Sequence, residues 1–329
     1  MTVSSGSASE MAGGRTSGGR TLDLSVTLGA LELVSPIVAA SGTFGHGDEV
    51  ARVCDPTRLG AVTAKSQAPF AWAGNPPPRL QPSAAGMVNA VGLQGHGVGH
   101  WVEYDLPRLR ALGARVIASI WGHTVDDYRA AAEMLAPATA ALVAVEVNLS
   151  CPNTQHGSEI FAHDAAATAA VVRSVAEADL GLPLFAKLSA GVADLSRISG
   201  AALEAGATGL TLVNTVWAFV IDAEARRPSL GSSGGGLSGP AIKPIALRSV
   251  HDVTRAHPGI PVIGTGGVSS GRDAVEMLLA GATAVGVGTA TFLEPRATLR
   301  ILDELTTWCT KHGVQRVGEL TGALQWNQP

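Results

Sequence analysis

The stretch PVIGTGGVSSGRDAVEMLLAGATAVGVGT, residues 261–289, holds two alternating patterns in a short span. Pro261–Gly267 is a short apolar run that ends in glycines, Gly271–Leu279 has apolar positions at helical spacing, and Ala284–Thr289 is another apolar run, ending in Gly-Thr. A brief apolar strand, a glycine loop, a helix and a second such strand make a βα unit whose parallel strands are buried on both faces.

The same unit recurs upstream. Apolar runs at Pro36–Ser41, Ala61–Ser66, Arg115–Trp121, Ala144–Ser150, Pro183–Ser189 and Gly209–Thr215 each end in a polar or glycine loop. Helical stretches at Val125–Leu135, Ala165–Ala178, Ala193–Ala205, Ala241–Arg255 and Pro295–Thr310 separate most of them. Eight such units predict an α/β fold, the (β/α)8 TIM barrel, which takes about 250 residues. The surplus in this 329-residue chain divides into three parts. Residues 1–20 read as a disordered Gly/Ser-rich tail. The segment LDLSVTLGALELVSP (22–36) reads as an N-terminal β-hairpin turning at Gly29-Ala30 over the bottom of the barrel. Two long βα loops, Gln67–Gly99 and Trp217–Gly239, cover the C-terminal face, where long loops are usually lids or binding loops. Residues 21–329 are expected to form a single domain.

Composition narrows the function. Hydrophobic residues make up 46% of the chain, the formal net charge is -4, and no basic block is present, so the footprint of a nucleic-acid binder is missing and a small metabolite is the better ligand. Cys54, Cys151 and Cys309 are odd in number and form no CxxC, which argues against a disulfide framework and a structural zinc site. The N-terminal residues lack a signal-peptide core, and no apolar run approaches the roughly 18 residues of a spanning helix. A soluble, cytoplasmic protein is expected.

In such barrels the active site lies at the C-terminal ends of the strands. Read in order, those ends carry Ser41, Lys65, Ser119, Asn148 with Cys151, Lys187, Asn214 with Thr215, Gly266-Gly267 and Gly288-Thr289. A free cysteine is commonly a small buried hydrophobe. In NLSCPNT (148–154), however, Cys151 follows a strand end and stands between Asn148 and Asn153, which places it at the mouth of a polar cup.

The glycine pairs of GTGG and GVGT, on adjacent strands, suit a phosphate that needs close backbone approach; tight turns are the alternative. Lys65 and Lys187 suit an anionic ligand or a flavin that gains charge at its N1/C2 carbonyl edge, against ordinary solvated lysines. Asn89, Asn148, Asn153 and Asn214 supply the paired donors and acceptors that match a cyclic amide such as a pyrimidine, although singly each suits a turn. His96 and His100 stand four apart, a spacing that binds metal on a helix, but Gly95, Gly97 and Gly99 and the lack of a partner carboxylate favour a plain loop and no metal. Cys54 and Cys309 read as packing residues on helices.

The motifs NLSCPNT, GMVNAVGLQ (86–94), FAKLS (185–189), LVNT (212–215), GGLSGPAIKPIALR (235–248), GTGG and GVGT together resemble the class 1 dihydroorotate dehydrogenases, and GGLSGPAIKP is most similar to the NAD-linked 1B branch. The resemblance runs from about Leu22 to the C-terminus. It implies an FMN-carrying barrel that oxidises dihydroorotate to orotate in UMP biosynthesis, with Cys151 as the base at C5 and hydride transfer from C6 to flavin N5. A thiol with an ordinary pKa of about 8.5 needs only modest help for that task. The resemblance also assigns Lys65, Asn89, Gly92, Leu93, Asn148, Asn153, Asn214 and Thr215 to the substrate. Ser41, Lys65, Ser66, Asn148, Lys187, Val213, Gly239, Gly266, Gly267, Gly288 and Thr289 go to FMN.

The 1B branch passes electrons through a partner subunit with FAD and a 2Fe–2S cluster, and the family generally forms homodimers. Three departures stand out: Ser119 where the family often has Asn, Gly95-His96 inside GLQGHG, and bulky Trp217 and Phe219 after the substrate amides. A fumarate-linked 1A enzyme, a related FMN barrel acting on another dihydropyrimidine, and a non-catalytic flavin binder are the other readings. Asn153, where dihydropyrimidine dehydrogenases usually have His, favours orotate, and the presence of Cys151 and Lys65 favours catalysis.

Overall fold

The computed structural model describes residues 22–149 and 160–326. The tail at 1–20, Cys151 and Asn153 therefore lie outside the described residues. The barrel strands are β1 (Ile37–Ala39), β2 (Ala61–Thr63), β3 (Val116–Ile120), β4 (Ala144–Asn148), β5 (Leu184–Leu188), β6 (Gly209–Leu212), β7 (Val262–Thr265) and β8 (Ala284–Val287). Each pairs in parallel with the next, and β8 closes on β1 through Val285↔Ile37 and Val287↔Ala39. All eight apolar runs are barrel strands, each regular strand shorter than its run.

Every residue of these strands is buried, since one face fills the barrel and the other meets the helices. The helices start where local chemistry directs. Thr124 and Asp127 form a reciprocal capping box before Val125–Leu135, and Asp164, Asp194 and Ser270 cap Ala165–Ala176, Leu195–Glu204 and Gly271–Leu279. Lys243–Ala256 and Ala297–Lys311 complete the predicted set.

The hairpin forms as expected, Val26–Leu28 pairing with Leu31–Leu33. Gly29 takes φ +69 at the turn, a conformation that costs glycine no Cβ clash, and lies against Pro261, the residue before β7. The turn is thus at the N-terminal end of the barrel, where Leu28 and Leu33 join the main core.

The two long loops carry more structure than their Pro/Gly composition indicated. Leu80–Ser83 and Gly86–Asn89 from the first, with Val216–Ala218 and Gly235–Ser238 from the second, form one antiparallel four-stranded sheet. Val88, Ala90 and Leu230 make a small core beneath it. Two expectations need correction. A helical segment runs over 98–111, widened to π geometry over Trp101–Asp105, so His100 is helical and not in a plain loop. Glycine is unfavourable inside helices, yet Gly97 serves as the N-cap with φ +90, and only Gly99 lies within the segment. Cys54 sits in a turn rather than a helix, buried with its thiol 3.1 Å from Thr298 Oγ1, while Cys309 is buried on Ala297–Lys311.

Because Leu28 is 1% exposed, Leu28→Ala should destabilise the fold by about 2–5 kcal/mol. Urea denaturation would show this, and an unchanged midpoint would mean that the hairpin is not part of the core.

Candidate active site

Strand period places the site. Ser119 is the register partner of Glu146 across β3 and β4, and Asn148 is the partner of Lys187 across β4 and β5. Residues two apart share a face, so Glu146 and Asn148 both point into the barrel.

A chain of polar contacts results. Ser119 Oγ donates to Glu146 Oε1 at 3.1 Å. With its proton so committed, Ser119 accepts from Ser66 Oγ at 2.9 Å. Asn148 Nδ2 donates to the same Ser66 oxygen at 3.1 Å, and Ser41 Oγ lies 3.2 Å from it while donating to the Ala64 carbonyl. Asn214 Nδ2 donates to Asn148 Oδ1 at 3.3 Å, and Thr215 N donates to Asn214 Oδ1 at 2.8 Å. Tyr128 Oη holds the Asn148 carbonyl at 2.7 Å from outside the strand. On the far side, Lys187 Nζ is 3.6 Å from Glu146 Oε1, and both side chains are nearly sealed from solvent. Buried groups joined in this way fix one another's orientation.

Above this network opens a cavity of about 660 Å³, within the range of cofactor and substrate sites. Ser41, Lys65, Ser66, Asn89, Gly92, Leu93, Asn148, Lys187, Val213, Asn214, Thr215, Gly239, Gly266, Gly267, Gly288 and Thr289 all line it. Every residue that the resemblance assigns to substrate or FMN, among the described residues, therefore lines one cavity; Cys151 and Asn153 lie outside those residues. Asn89 also reaches the cover sheet, donating to the Gly236 carbonyl at 3.2 Å. Leu93 adopts φ +60, rare for a leucine and costly without support from its surroundings, and the neighbouring Gly92 carbonyl is held by Trp72 Nε1 at 2.9 Å.

At the glycine end, Gly267 has φ +74, and a Cβ there would lie 2.6 Å from Lys243 Cβ. The loop is pressed against the start of Lys243–Ala256. Behind it, Lys243 Nζ bonds Asp273 at 2.5 Å and Glu276 at 2.8 Å, while Ser269 N and Oγ both donate to Asp273. Burial alone would raise the Asp273 pKa, but the hydrogen bonds from Lys243, Ser269 and Ser270 overcome it and hold the carboxyl at about 2.

Sequence reasoning missed Glu146, which it read as part of an apolar run; its place two residues before Asn148 was the available signal. It also missed Thr265, Met87 and Ser238, which line the cavity. Thr265 Oγ1 is buried without a partner among the described residues. The residues at which the family pattern frays stand back from the cavity. Ser119 lies beneath it in the polar chain, Gly95 pairs with the Trp72 backbone, and Trp217 and Phe219 are half exposed on the cover segment. The His96 and His100 ring centroids lie 4.7 Å apart with the rings tilted by 38°, and among the described residues no three His, Cys, Asp or Glu side chains form a metal-binding group.

Two consequences are measurable. The Asp273 pKa is depressed on folding, so its stabilisation is fully present above pH 4 and is lost as pH falls through about 2. Asp273→Asn should cost about 2 kcal/mol at neutral pH, with the gap from wild type narrowing below pH 4; a pH-independent gap in urea titrations would contradict this. Gly267→Ala should distort the glycine loop and weaken binding of phosphate-bearing ligands at least tenfold while the barrel's circular dichroism persists.

Comparison with known proteins agrees with this geometry. The dihydroorotate dehydrogenase family profile matches residues 23–308. A Geobacter metallireducens protein named dihydroorotate dehydrogenase B (NAD(+)), catalytic subunit, is 44% identical over 303 residues, covering 92% of this chain and 98% of its own. A Desulforudis audaxviator protein of the same name is 46% identical over 298 residues, covering 91% and 96%. A Solibacter usitatus protein, named provisionally as the fumarate-linked A type, is 45% identical over 306 residues, covering 93% and 100%. In fold, the chain resembles the crystal structure of an Eimeria tenella DHODH in complex with ferulenol, with TM-score 0.76 and 23% identity over 92% of this chain and 88% of that one. With the profile spanning nearly the whole barrel and relatives this similar along their full length, the chain belongs to the dihydroorotate dehydrogenase family.

Proposed function

We propose that this chain is the catalytic subunit of an NAD-linked dihydroorotate dehydrogenase, binding FMN and dihydroorotate side by side in the cavity at the barrel mouth. The convergence of the candidate residues on that single cavity carries the reading. FMN fits the residues present. Gly266-Gly267 and Gly288-Thr289 line the cavity, with Gly266 and Gly267 at positive φ and packed so closely on Ala246 and Lys243 that neither has room for a Cβ; Thr265 Oγ1 is a buried hydroxyl in need of a partner, and Ser41, Ser66 and Lys187 line the same cavity.

Bound FMN supplies the acceptor for the hydride that leaves C6 of the substrate. The protein's own residues divide the remaining work. Asn89, Asn148, Asn153 and Asn214 hold the pyrimidine ring by its amide edges, and Lys65 holds its carboxylate. Gly92 and Leu93 shape the pocket wall. Cys151, three residues beyond Asn148, takes the C5 proton. Loss of that proton and of the C6 hydride leaves the C5=C6 double bond of orotate. The substrate ring would thus lose its proton to Cys151 and its hydride to the bound cofactor, two separate groups. Lys187 offsets the negative charge that reduction brings.

This chain has no CxxC cluster of its own, and relatives such as the Geobacter metallireducens protein are named as catalytic subunits, so electrons are expected to leave through a separate FAD and 2Fe–2S subunit to NAD. The remainder of the reading is a cytoplasmic homodimer core within a single 21–329 domain; among the described residues no helix is long and apolar enough to cross a membrane. The Solibacter usitatus relative makes fumarate the acceptor to test against NAD.

Dihydroorotate added without oxygen should bleach the flavin band rapidly. Cys151→Ser should slow that bleaching by on the order of 10²–10⁴-fold with FMN still bound. A yellow protein that does not bleach would reject the substrate, and an unaffected Cys151→Ser variant would reject the base.

A further inference from the structure

Lys187 has a part in the scheme above but its buried partner Glu146 has none, and the geometry of the pair is unusual. Charge-assisted hydrogen bonds are about 2.7–2.9 Å long. At 3.6 Å, Lys187 Nζ is near the carboxylate without donating to it, and the facing oxygen, Oε1, is already bonded by Ser119 Oγ. Lys187 lines the cavity, so its ammonium protons remain available there. Both side chains are more than nine-tenths buried, in surroundings where charges interact far more strongly than in water. A buried carboxylate this close reduces the field of the lysine without occupying its donors.

We infer that Glu146 is a positioning residue that, held by Ser119, sets the effective charge of Lys187 and so lowers the reduction potential of the cofactor in the cavity. The inference rests on the flavin reading of the site. Reduction of a flavin places negative charge at its N1/C2 edge, which a full cation favours and a neutralised one favours less. The serine of strand β3 belongs to the same device, because its proton keeps the carboxylate oxygen turned to that side of the barrel. Lys187 thereby anchors the cofactor while its charge is partly cancelled from below.

The test is the midpoint potential of the flavin-loaded protein, measured against redox dyes without substrate. Glu146→Gln, nearly isosteric, should stabilise the reduced over the oxidised flavin at least tenfold, a shift of about 30 mV upward for a two-electron couple. The shift should vanish in a Lys187→Met background, where there is no charge to modulate. Glu146→Asp, which keeps the charge but lengthens the pair, should give a potential between wild type and Glu146→Gln, and it serves if the Gln variant does not fold. An unchanged potential in whichever variant retains flavin, or an undiminished shift in the Lys187→Met background, overturns the inference. Wild-type protein that takes up no flavin would instead overturn the functional reading, so the two failures are distinct.

Discussion

Inside the barrel, the hydrogen bond from Ser119 to Glu146 ties the interior of β3 to that of β4, and the groups around it take their orientation from it. Because Ser119 donates there, Ser66 must donate to Ser119 and accept from Asn148. Asn148 then presents its carbonyl oxygen to Asn214, whose own oxygen is occupied by the Thr215 amide. One committed proton thus fixes the donor and acceptor sense of side chains from β2 to the end of β6. Unsatisfied polar groups at this depth cost about 1–3 kcal/mol each, so the arrangement has little freedom to invert. The result is a floor of defined polarity beneath the cavity.

The roof comes from a different kind of constraint. Each long loop contributes an antiparallel pair of its own, and Gly86–Asn89 from one and Gly235–Ser238 from the other join the two pairs as antiparallel neighbours. This pairing brings Asn89 and Gly239, from distant parts of the chain, to the rim of the same cavity. The glycine wall is fixed independently by Lys243, whose contacts to Asp273 and Glu276 join the two helices flanking β7. Floor, roof and wall are therefore set by separate interactions, which lets the roof vary while the polar floor is kept.

The sequence made the barrel legible because its strands are buried on both faces and read as short, uninterrupted apolar runs, each ending in the residue that faces the mouth. The site residues were legible for the same reason: strand C-terminal ends in this architecture converge. What stayed hidden depended on pairing between remote segments. The cover sheet was masked by Pro/Gly-rich composition: each loop carries its own antiparallel pair, and the central pairing of Gly86–Asn89 with Gly235–Ser238 joins the two remote halves. The 98–111 helix was masked by Gly95, Gly97 and Gly99, although Gly97 acts as its cap. Glu146 was absorbed into an apolar run because its partners, Ser119 and Lys187, lie on neighbouring strands.

The account's central claim is that a flavin and a pyrimidine occupy one cavity on one polar floor. Titration of orotate into the flavin-loaded protein, followed in the visible absorption of the flavin, addresses it most directly. A saturable perturbation of the flavin band with one orotate per chain, lost in Asn148→Ala, is the expected result. Orotate that binds without disturbing the flavin, or equally well without Asn148, would contradict it.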